Sequence, residues 1–111
     1  MIKILFVCLG NICRSPLAEG HFQKLIEEYK LEEEIFCDSA GTASYHVGNL
    51  ADRRTRENAE GHGLKLTHRS RQFDYEDLKV FDYILAMDDS NLRNITYIKD
   101  RLPSVNPKIF M

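Results

Sequence analysis

The stretch "VCLGNICRSPLAE", residues 7–19, joins an apolar segment to a helix-like segment. The segment before it, residues 2–7, consists of Ile, Leu, Phe and Val with one Lys, which predicts a buried strand. After it, Ser15 is expected to cap a helix that carries Pro16 in its first position. Two cysteines, a glycine, an asparagine and an arginine therefore lie in one short loop between a strand and a helix.

This loop has the residues of an anion site. Backbone N–H groups that curl inward in front of a helix N-terminus bind anions. We expect Gly10 to relax the backbone for the curl and Asn11 to tolerate a left-handed conformation. The guanidinium of Arg14 suits phosphate oxygens. The sequence thus predicts a phosphate-binding loop made of Leu9, Gly10, Asn11, Ile12, Cys13 and Arg14.

The cysteine at the base of this loop is a candidate nucleophile. The field that binds a phosphate also stabilises a thiolate at Cys8, to which Ser15 can donate a hydrogen bond. A thiolate aimed at a bound phosphorus gives covalent catalysis. The simpler alternative is a buried cysteine after an apolar strand. The loop is favoured because strand, glycine, asparagine, arginine and helix start all occur together.

The rest of the chain alternates strands with helices. Further strands are predicted over residues 35–40, 83–87 and 108–111, and further helices over residues 52–62, 74–80 and 88–101. The inward faces are predicted as Ala18, Phe22, Leu25, Ile26 and Tyr29 in the first helix and Leu92, Ile95, Ile98 and Leu102 in the last, which Pro103 ends. The fold class is therefore α/β. We expect a small doubly wound parallel sheet of about four strands in flavodoxin-like order, with helices on both faces.

Composition limits the function classes. The formal net charge of −2 argues against nucleic acid or an anionic membrane as partner, and no apolar run is long enough to span a membrane. Three cysteines without a secretory leader indicate free thiols in the cytoplasm. The four histidines show no ligand spacing with cysteines or carboxylates, so neither a metal nor a cofactor is predicted.

The opening stretch resembles the signature of the low-molecular-weight protein tyrosine phosphatases. The likeness continues in "DSAGT" (38–42), "HVG" (46–48) with Asp52 and Arg54, "HRSRQ" (68–72) and "FDYILAMDDSNL" (81–92), and covers essentially the whole chain. The resemblance implies a cytoplasmic hydrolase. It would act on phosphotyrosine proteins or small aryl phosphates through a cysteinyl-phosphate intermediate, and inorganic phosphate would bind in the same loop.

The resemblance also assigns residues. Cys8 is implied as the nucleophile and Arg14 as the group that binds the phosphoryl group and stabilises its transition state. Ser15 is implied to assist the thiolate as leaving group. Asn11 holds the loop from within, and two residues, Ser39 and His68, support it from outside.

Several side chains keep two interpretations. Tyr45 is either an aromatic on the substrate rim or an exposed loop residue. Cys13 is either the redox partner of Cys8 or a small filler, whereas Cys37 is expected to fill the core. Two carboxylates, Asp88 and Asp89, are candidates for a general acid, but a helix cap is the favoured role at that position.

The substrate class follows from comparison with related families. Thiol-dependent arsenate reductases need further cysteines near residues 80–95, where this chain has none. Arginine phosphatases resemble this loop but carry a Thr where this chain has Ile12. An apolar Ile12 fits an aryl phosphate better, which favours phosphotyrosine.

One departure from the family pattern affects the expected activity. The family's general acid is an Asp in an Asp-Pro-aromatic loop, and these 111 residues contain no Asp-Pro. We expect a single domain over residues 1–111 that is shortened at its C-terminus, with the general acid unassigned. The alternatives are a phosphate or phosphotyrosine-binding module without turnover and a redox-sensing thiol protein. A homo-oligomer or a complementing chain is also expected.

Overall fold

The computed structural model describes residues 1–101 and 107–111 of the chain. Within them the strands are β1 (Ile2–Cys8), β2 (Ile35–Gly41), β3 (Tyr83–Ala86) and β4 (Lys108–Phe110). The helices are α1 (Arg14–Glu28), α2 (Arg53–Gly61), α3 (Tyr75–Val80) and α4 (Asp89–Lys99). In the described part of the chain, no helix combines the length and apolar character needed to cross a membrane.

The strands form one parallel sheet in the order β2-β1-β3-β4. This confirms the predicted α/β class and strand order. Successive connections leave β1 in opposite directions, so the carboxyl end of β1 is the point where an open α/β sheet forms its binding crevice. Cys8 is the last residue of β1 and pairs in register with Gly41 of β2. The sheet therefore places Cys8 at the crevice.

Both faces of β1 are buried, as expected for a central parallel strand. Leu5 and Val7 lie on one face, in the same core cluster as Leu78 of α3 and Ile95 of α4. Phe6 points to the opposite face, in a cluster with Ile26 of α1 and Cys37 of β2. Helices cover both sides of the sheet, and the two-residue alternation along β1 explains why consecutive apolar residues serve two separate cores.

Three expectations about α1 are wrong. Pro16 is not in the first position, because the helix begins at Arg14 and Pro16 is its third residue. Ser15 does not cap the helix, because the N-cap position is taken by Cys13 without a side-chain bond, and Ser15 lies inside the first turn. Leu25 and Tyr29 are exposed, with 48% and 71% of their surfaces accessible. The residues of α1 that pack against the sheet, Ala18, Phe22 and Ile26, are spaced four apart. Leu25 lies beside this row, and Tyr29 follows the last residue of the helix.

The remaining helix starts are confirmed. Asp52 caps α2 by accepting a bond from the Arg54 backbone N–H, and Asp74 caps α3 in a reciprocal pair with Asp77. Asp88 caps α4 by accepting from the Asn91 backbone N–H. The predicted inward residue Leu102 and the predicted helix stop Pro103 lie outside the described residues.

Candidate active site

The loop between β1 and α1 is fixed by backbone hydrogen bonds from neighbouring segments. The N–H of Thr42 donates to the Cys8 carbonyl at 2.9 Å, and the N–H of Ala43 donates to the Leu9 carbonyl at 2.9 Å. The N–H of Asp52, just before α2, donates to the Ile12 carbonyl at 2.7 Å. The segments after β2 and before α2 therefore hold the loop at both ends.

Asn11 is the centre of the loop's hydrogen bonds. Its side chain is fully buried, and its Nδ2 donates to the hydroxyl oxygens of Ser15 at 2.8 Å and Ser39 at 3.0 Å. Its Oδ1 accepts from the backbone N–H of Arg71 at 3.0 Å and lies 2.8 Å from Nε2 of His68. Because Oδ1 can only accept, Nε2 of His68 carries a proton. The predicted supporting residues therefore meet at Asn11.

The curl of the loop depends on residues other than those expected. Asn11 takes the left-handed conformation, with φ of 57°, while Gly10 does not have a positive φ. A Cβ on Gly10 would lie 3.1 Å from the ring of His46, so Gly10 gives space rather than backbone freedom. A Cβ on Gly41 would lie 2.7 Å from the Leu9 carbonyl oxygen, which explains the glycine in "DSAGT" by close packing of β2 against the loop.

The Cys8 thiol lies at the base of the loop with two polar neighbours. Its Sγ is 3.0 Å from Ser15 Oγ and 3.3 Å from the Asn11 backbone nitrogen, and the residue is 3% exposed. The Ser15 oxygen already accepts from Asn11, so its proton is available to the sulfur. These two contacts fix the position of the sulfur at the base of the loop, facing the cavity.

Arg14 begins α1 and forms an ion pair across the crevice. Its Nη1 donates to Oδ2 of Asp88 at 3.0 Å, and both side chains are about half exposed. The Asn91 backbone N–H and then the Arg14 guanidinium hold the pKa of the Asp88 carboxyl below its ordinary value. Asp88 therefore remains ionised at neutral pH.

A cavity of about 260 Å³ opens over the thiol. It brings together the predicted nucleophile, the predicted loop residues and the predicted rim aromatic, lined by Cys8, Leu9, Gly10, Ile12, Cys13, Arg14, Tyr45 and His46. Tyr45 lines this cavity and is 78% exposed, which agrees with both of its interpretations, a rim aromatic and an exposed loop residue. Ser39 and His68 lie behind the loop and do not line the cavity. His46 was missed, although it belongs to the noticed "HVG" segment.

Behind the loop, His68 lies between two carboxylates. Its Nδ1 is 3.3 Å from Glu19 Oε1 and 3.4 Å from Asp38 Oδ1. Burial raises the pKa of Glu19 to about 7, against the hydrogen bond donated by Ser39 at 2.6 Å. Burial lowers the pKa of His68, while the Asp38 carboxylate opposes that change. The Glu19 carboxyl therefore binds a proton near neutral pH, whereas burial biases His68 towards its neutral form.

This trio is the arrangement that could hold a metal among the described residues, since the donor atoms lie within 4.8 Å of one another. The sequence did not predict it, because Glu19, Asp38 and His68 come from three distant segments without local spacing. Hydrogen bonds already engage both carboxylates, from Ser39 to Glu19 and from Arg71 to Asp38.

Two further residues of the "HRSRQ" segment support the loop and were not assigned a role. The hydroxyl of Ser70 donates to the Gly10 carbonyl at 2.8 Å. Arg71 donates through Nε to Asp38 at 3.0 Å and through both terminal nitrogens to Asp77 at 3.1 and 3.0 Å. Motif membership was the available signal, but the partners of Arg71 could only be found in three dimensions.

The three cysteines have different surroundings, and all are free thiols. Cys8 is buried at the base of the cavity, whereas Cys13 is exposed. Cys37 packs with Phe6 and Ile26, as a core filler should. Burial, with the neighbouring Glu19 and Asp38 carboxylates, raises the pKa of Cys37 to about 12. Cys37 therefore stays protonated and unreactive.

Comparison with known proteins agrees with this geometry. The sequence model of the family described as low molecular weight phosphotyrosine protein phosphatase matches residues 3–109. A Synechocystis protein named as a low molecular weight protein-tyrosine-phosphatase is 54% identical over 94 residues, which are 85% of this chain and 60% of that protein. The human low molecular weight phosphotyrosine protein phosphatase is 44% identical over 107 residues, 96% of this chain and 68% of the human protein. A crystal structure of a Drosophila arginine phosphatase superimposes with a TM-score of 0.94 at 40% identity, covering 99% of this chain and 70% of that one.

Proposed function

The chain belongs to the low molecular weight phosphotyrosine protein phosphatase family, and on that premise we propose that it hydrolyses phosphotyrosine through a cysteinyl-phosphate intermediate. It spans 60% of the Synechocystis relative and 68% of the human one, so the activity is argued from this chain's own site. The observation that carries the proposal is the Cys8 thiol, held by Asn11 and Ser15 beneath a cavity that Arg14 lines.

Phosphate binding is the first step. The loop of residues 9–13 precedes α1, which begins at Arg14 and whose N-terminus contributes positive potential to an anion in the cavity. The Arg14 guanidinium lines the same cavity and adds charge-assisted bonds to the phosphoryl oxygens. Inorganic phosphate satisfies the same groups and is therefore expected to act as a competitive ligand.

The covalent steps follow from the position of the sulfur. The Cys8 thiolate attacks phosphorus, a sulfur–phosphorus bond forms, and the bond to the tyrosine oxygen breaks with its electron pair on that oxygen. Water then attacks the cysteinyl phosphate and releases inorganic phosphate. The Ser15 hydroxyl, 3.0 Å from the sulfur, donates to the departing thiolate in this second step.

Protonation of the leaving group is the step with no assigned residue. A tyrosine hydroxyl has a pKa of about 10, and a general acid typically contributes about 10²- to 10⁴-fold. Asp88 is a poor candidate, because its pKa is lowered and both of its oxygens are engaged as helix cap and partner of Arg14. The cap interpretation is therefore preferred for Asp88.

The shape of the entrance supports an aromatic substrate. Ile12 and Tyr45 both line the cavity and can contact an aryl ring attached to the bound phosphoryl group. The similarity to a Drosophila arginine phosphatase makes phosphoarginine the competing substrate class. The Ile at position 12 favours the aryl ester.

The test compares three substrates with wild-type protein and the Cys8→Ser variant as blank. The substrates are p-nitrophenyl phosphate, a phosphotyrosine peptide and a phosphoarginine peptide. Turnover of both aryl phosphates supports the proposal, and turnover of phosphoarginine alone reassigns the substrate class. If the protein binds phosphate but turns over none of the three, the binding-module alternative replaces the proposal.

Two partner and regulation expectations are tested separately. A homo-oligomer predicts a sedimentation coefficient above that of a 12.9 kDa monomer. A redox role for Cys8 and Cys13 predicts that peroxide removes two free thiols reversibly. An unchanged thiol count would reject the redox role.

A further inference from the structure

We propose that Asp88 is a positioning residue that orients the Arg14 guanidinium for the phosphoryl group. The inference rests on the proposed function and deepens it. The sequence left Asp88 open between a general acid and a helix cap. Orienting Arg14 requires only the ionised carboxylate of Asp88 and no proton transfer. The supporting observations are the backbone frame, the two contacts of Asp88 and the donors that remain on Arg14.

The sheet sets the distance between the two residues. Val7 of β1 pairs in register with Ala86 of β3, and the Met87 backbone N–H donates to the Val7 carbonyl at 2.9 Å. Asp88 is the next residue in the chain after Met87. Both the phosphate-binding loop and Asp88 therefore leave the same edge of two hydrogen-bonded strands, and their separation does not depend on a mobile connection.

Asp88 is itself held in place by α4. Its Oδ1 accepts from the Asn91 backbone N–H at 2.9 Å, while its Oδ2 accepts from Arg14 Nη1 at 3.0 Å. One carboxylate thus joins the first turn of α4 to the first residue of α1. Because the cap bond restrains the Asp88 carboxylate, its position relative to Arg14 varies less than that of a surface acid without such a bond.

The contact leaves the useful donors of Arg14 available. A guanidinium has five N–H donors in a rigid plane. Asp88 engages Nη1, and within residues 1–101 and 107–111 the structure gives Nε and Nη2 no protein acceptor. Two donors in one plane match two phosphoryl oxygens. The ion pair therefore fixes the plane of the guanidinium while keeping a bidentate edge free.

The ion pair lowers the conformational entropy that the Arg14 side chain loses when it binds a phosphoryl group. An arginine side chain that is half exposed has many rotamers, and immobilising such a side chain on binding weakens affinity. A partner that restricts Arg14 beforehand reduces that cost for the ground-state anion and for the transition state alike. Loss of Asp88 should therefore weaken phosphate binding and slow turnover of every aryl phosphate by a similar factor.

The test uses Asp88→Asn and Asp88→Ser, with Glu57→Gln as matched control. Asn and Ser both retain a capping oxygen, so α4 should stay folded, while the charge facing Arg14 is lost. The Glu57→Gln control removes one carboxylate charge from an exposed ion pair on α2, in which Arg53 Nε donates to Glu57 Oε1 at 2.9 Å. Glu57 does not line the cavity over the thiol. The measurements are the inhibition constant of inorganic phosphate and kcat/KM for p-nitrophenyl phosphate and phenyl phosphate.

We expect both Asp88 variants to raise the inhibition constant of inorganic phosphate by about fivefold, the size of effect expected from losing a half-exposed ion pair. The same factor should reduce kcat/KM for both substrates, while the melting temperature stays the same and the Glu57→Gln control keeps wild-type values. A larger loss for phenyl phosphate, the poorer leaving group, would identify Asp88 as a proton donor and overturn the inference. Variants that match the control would also overturn it. Wild-type protein that binds no phosphate would instead reject the proposed function, and this inference with it.

Discussion

The side chain of Asn11 and the hydroxyl of Ser39 are joined by a 3.0 Å hydrogen bond that connects the phosphate-binding loop to β2. The same Ser39 hydroxyl donates a hydrogen bond to the Glu19 carboxyl group at 2.6 Å. The loop that faces the cavity is therefore continuous with a buried polar network behind it. Substitutions in that network should affect the site without touching a bound phosphate.

Asn11→Ala tests the centre of this network. It removes the amide that donates to the hydroxyl oxygens of Ser15 and Ser39 and that accepts from the Arg71 N–H, so the free energy of unfolding should fall by about 2–4 kcal/mol. Asn11→Gly is the matched control, because it loses the same side chain but tolerates φ of 57°. It should be more stable than Asn11→Ala by about 1 kcal/mol. Urea denaturation measures both, and equal stabilities would contradict a left-handed residue at this position.

Gly41→Ala tests the contact between β2 and the loop. Its Cβ would lie 2.7 Å from the Leu9 carbonyl oxygen, and backbone on both sides cannot give way cheaply. We expect aryl phosphatase activity to fall by about 10²-fold, as for a displaced catalytic loop. Gly61→Ala in α2 is the control, since a Cβ there meets nothing within 4 Å. That substitution should leave activity unchanged and raise the melting temperature slightly.

Glu19→Gln tests the proton on the Glu19 carboxyl behind the loop. The folded pKa of Glu19 is about 7 and its ordinary value is 4.5, so the folded state binds the proton more tightly than the unfolded state. The stability of wild type relative to Glu19→Gln should therefore be highest below pH 4.5 and fall as the pH rises to about 7. The total fall should be about 1–3 kcal/mol, allowing for solvent screening.

His68 is present in both proteins of that comparison. Its lowered pKa gives a contribution of opposite sign, which is lost as the pH falls below its ordinary value of 6.5. Urea denaturation across this pH range supplies the measurement. A difference that does not vary with pH would show that folding leaves the pKa of Glu19 unchanged.

Thiol labelling tests the three cysteine environments. With its pKa raised to about 12 and its side chain buried, Cys37 should react last with iodoacetamide in folded protein. Cys13 is exposed and should be labelled freely. Mass spectrometry of peptides identifies the labelled sites, with urea-unfolded protein as the control in which all three react. Early labelling of Cys37 would contradict its place in the core.

The sequence was sufficient for the frame of the molecule because its signals are local. The strand of residues 2–7, the caps Asp52 and Asp88 and the alternation of strands with helices depend on neighbouring residues, and all were confirmed. The grouping of Cys8 with Arg14 follows from a loop of only seven residues. The parallel order could be inferred because connections through helices are right-handed and short.

The errors arose where a side chain had two local uses. Ser15 has the residue type of a helix cap, but its hydroxyl bonds with Cys8 and Asn11, and the helix begins two residues earlier than expected, with Cys13 as its N-cap. The trio of Glu19, Asp38 and His68 could not be predicted, because sequence spacing does not report contacts that tertiary packing creates. The same holds for Arg71, whose two carboxylate partners come from β2 and α3.

The ion pair between Arg14 and Asp88 joins residues 74 positions apart. During synthesis the nucleophile and its arginine leave the ribosome early, whereas β3 and Asp88 emerge much later. Because domains fold as units once enough chain is available, the thiol spends that interval without an assembled anion site. In a nascent chain stalled before residue 88, the cysteines should therefore react with a thiol reagent at similar rates. Phosphate affinity should appear only after β3 has joined the sheet.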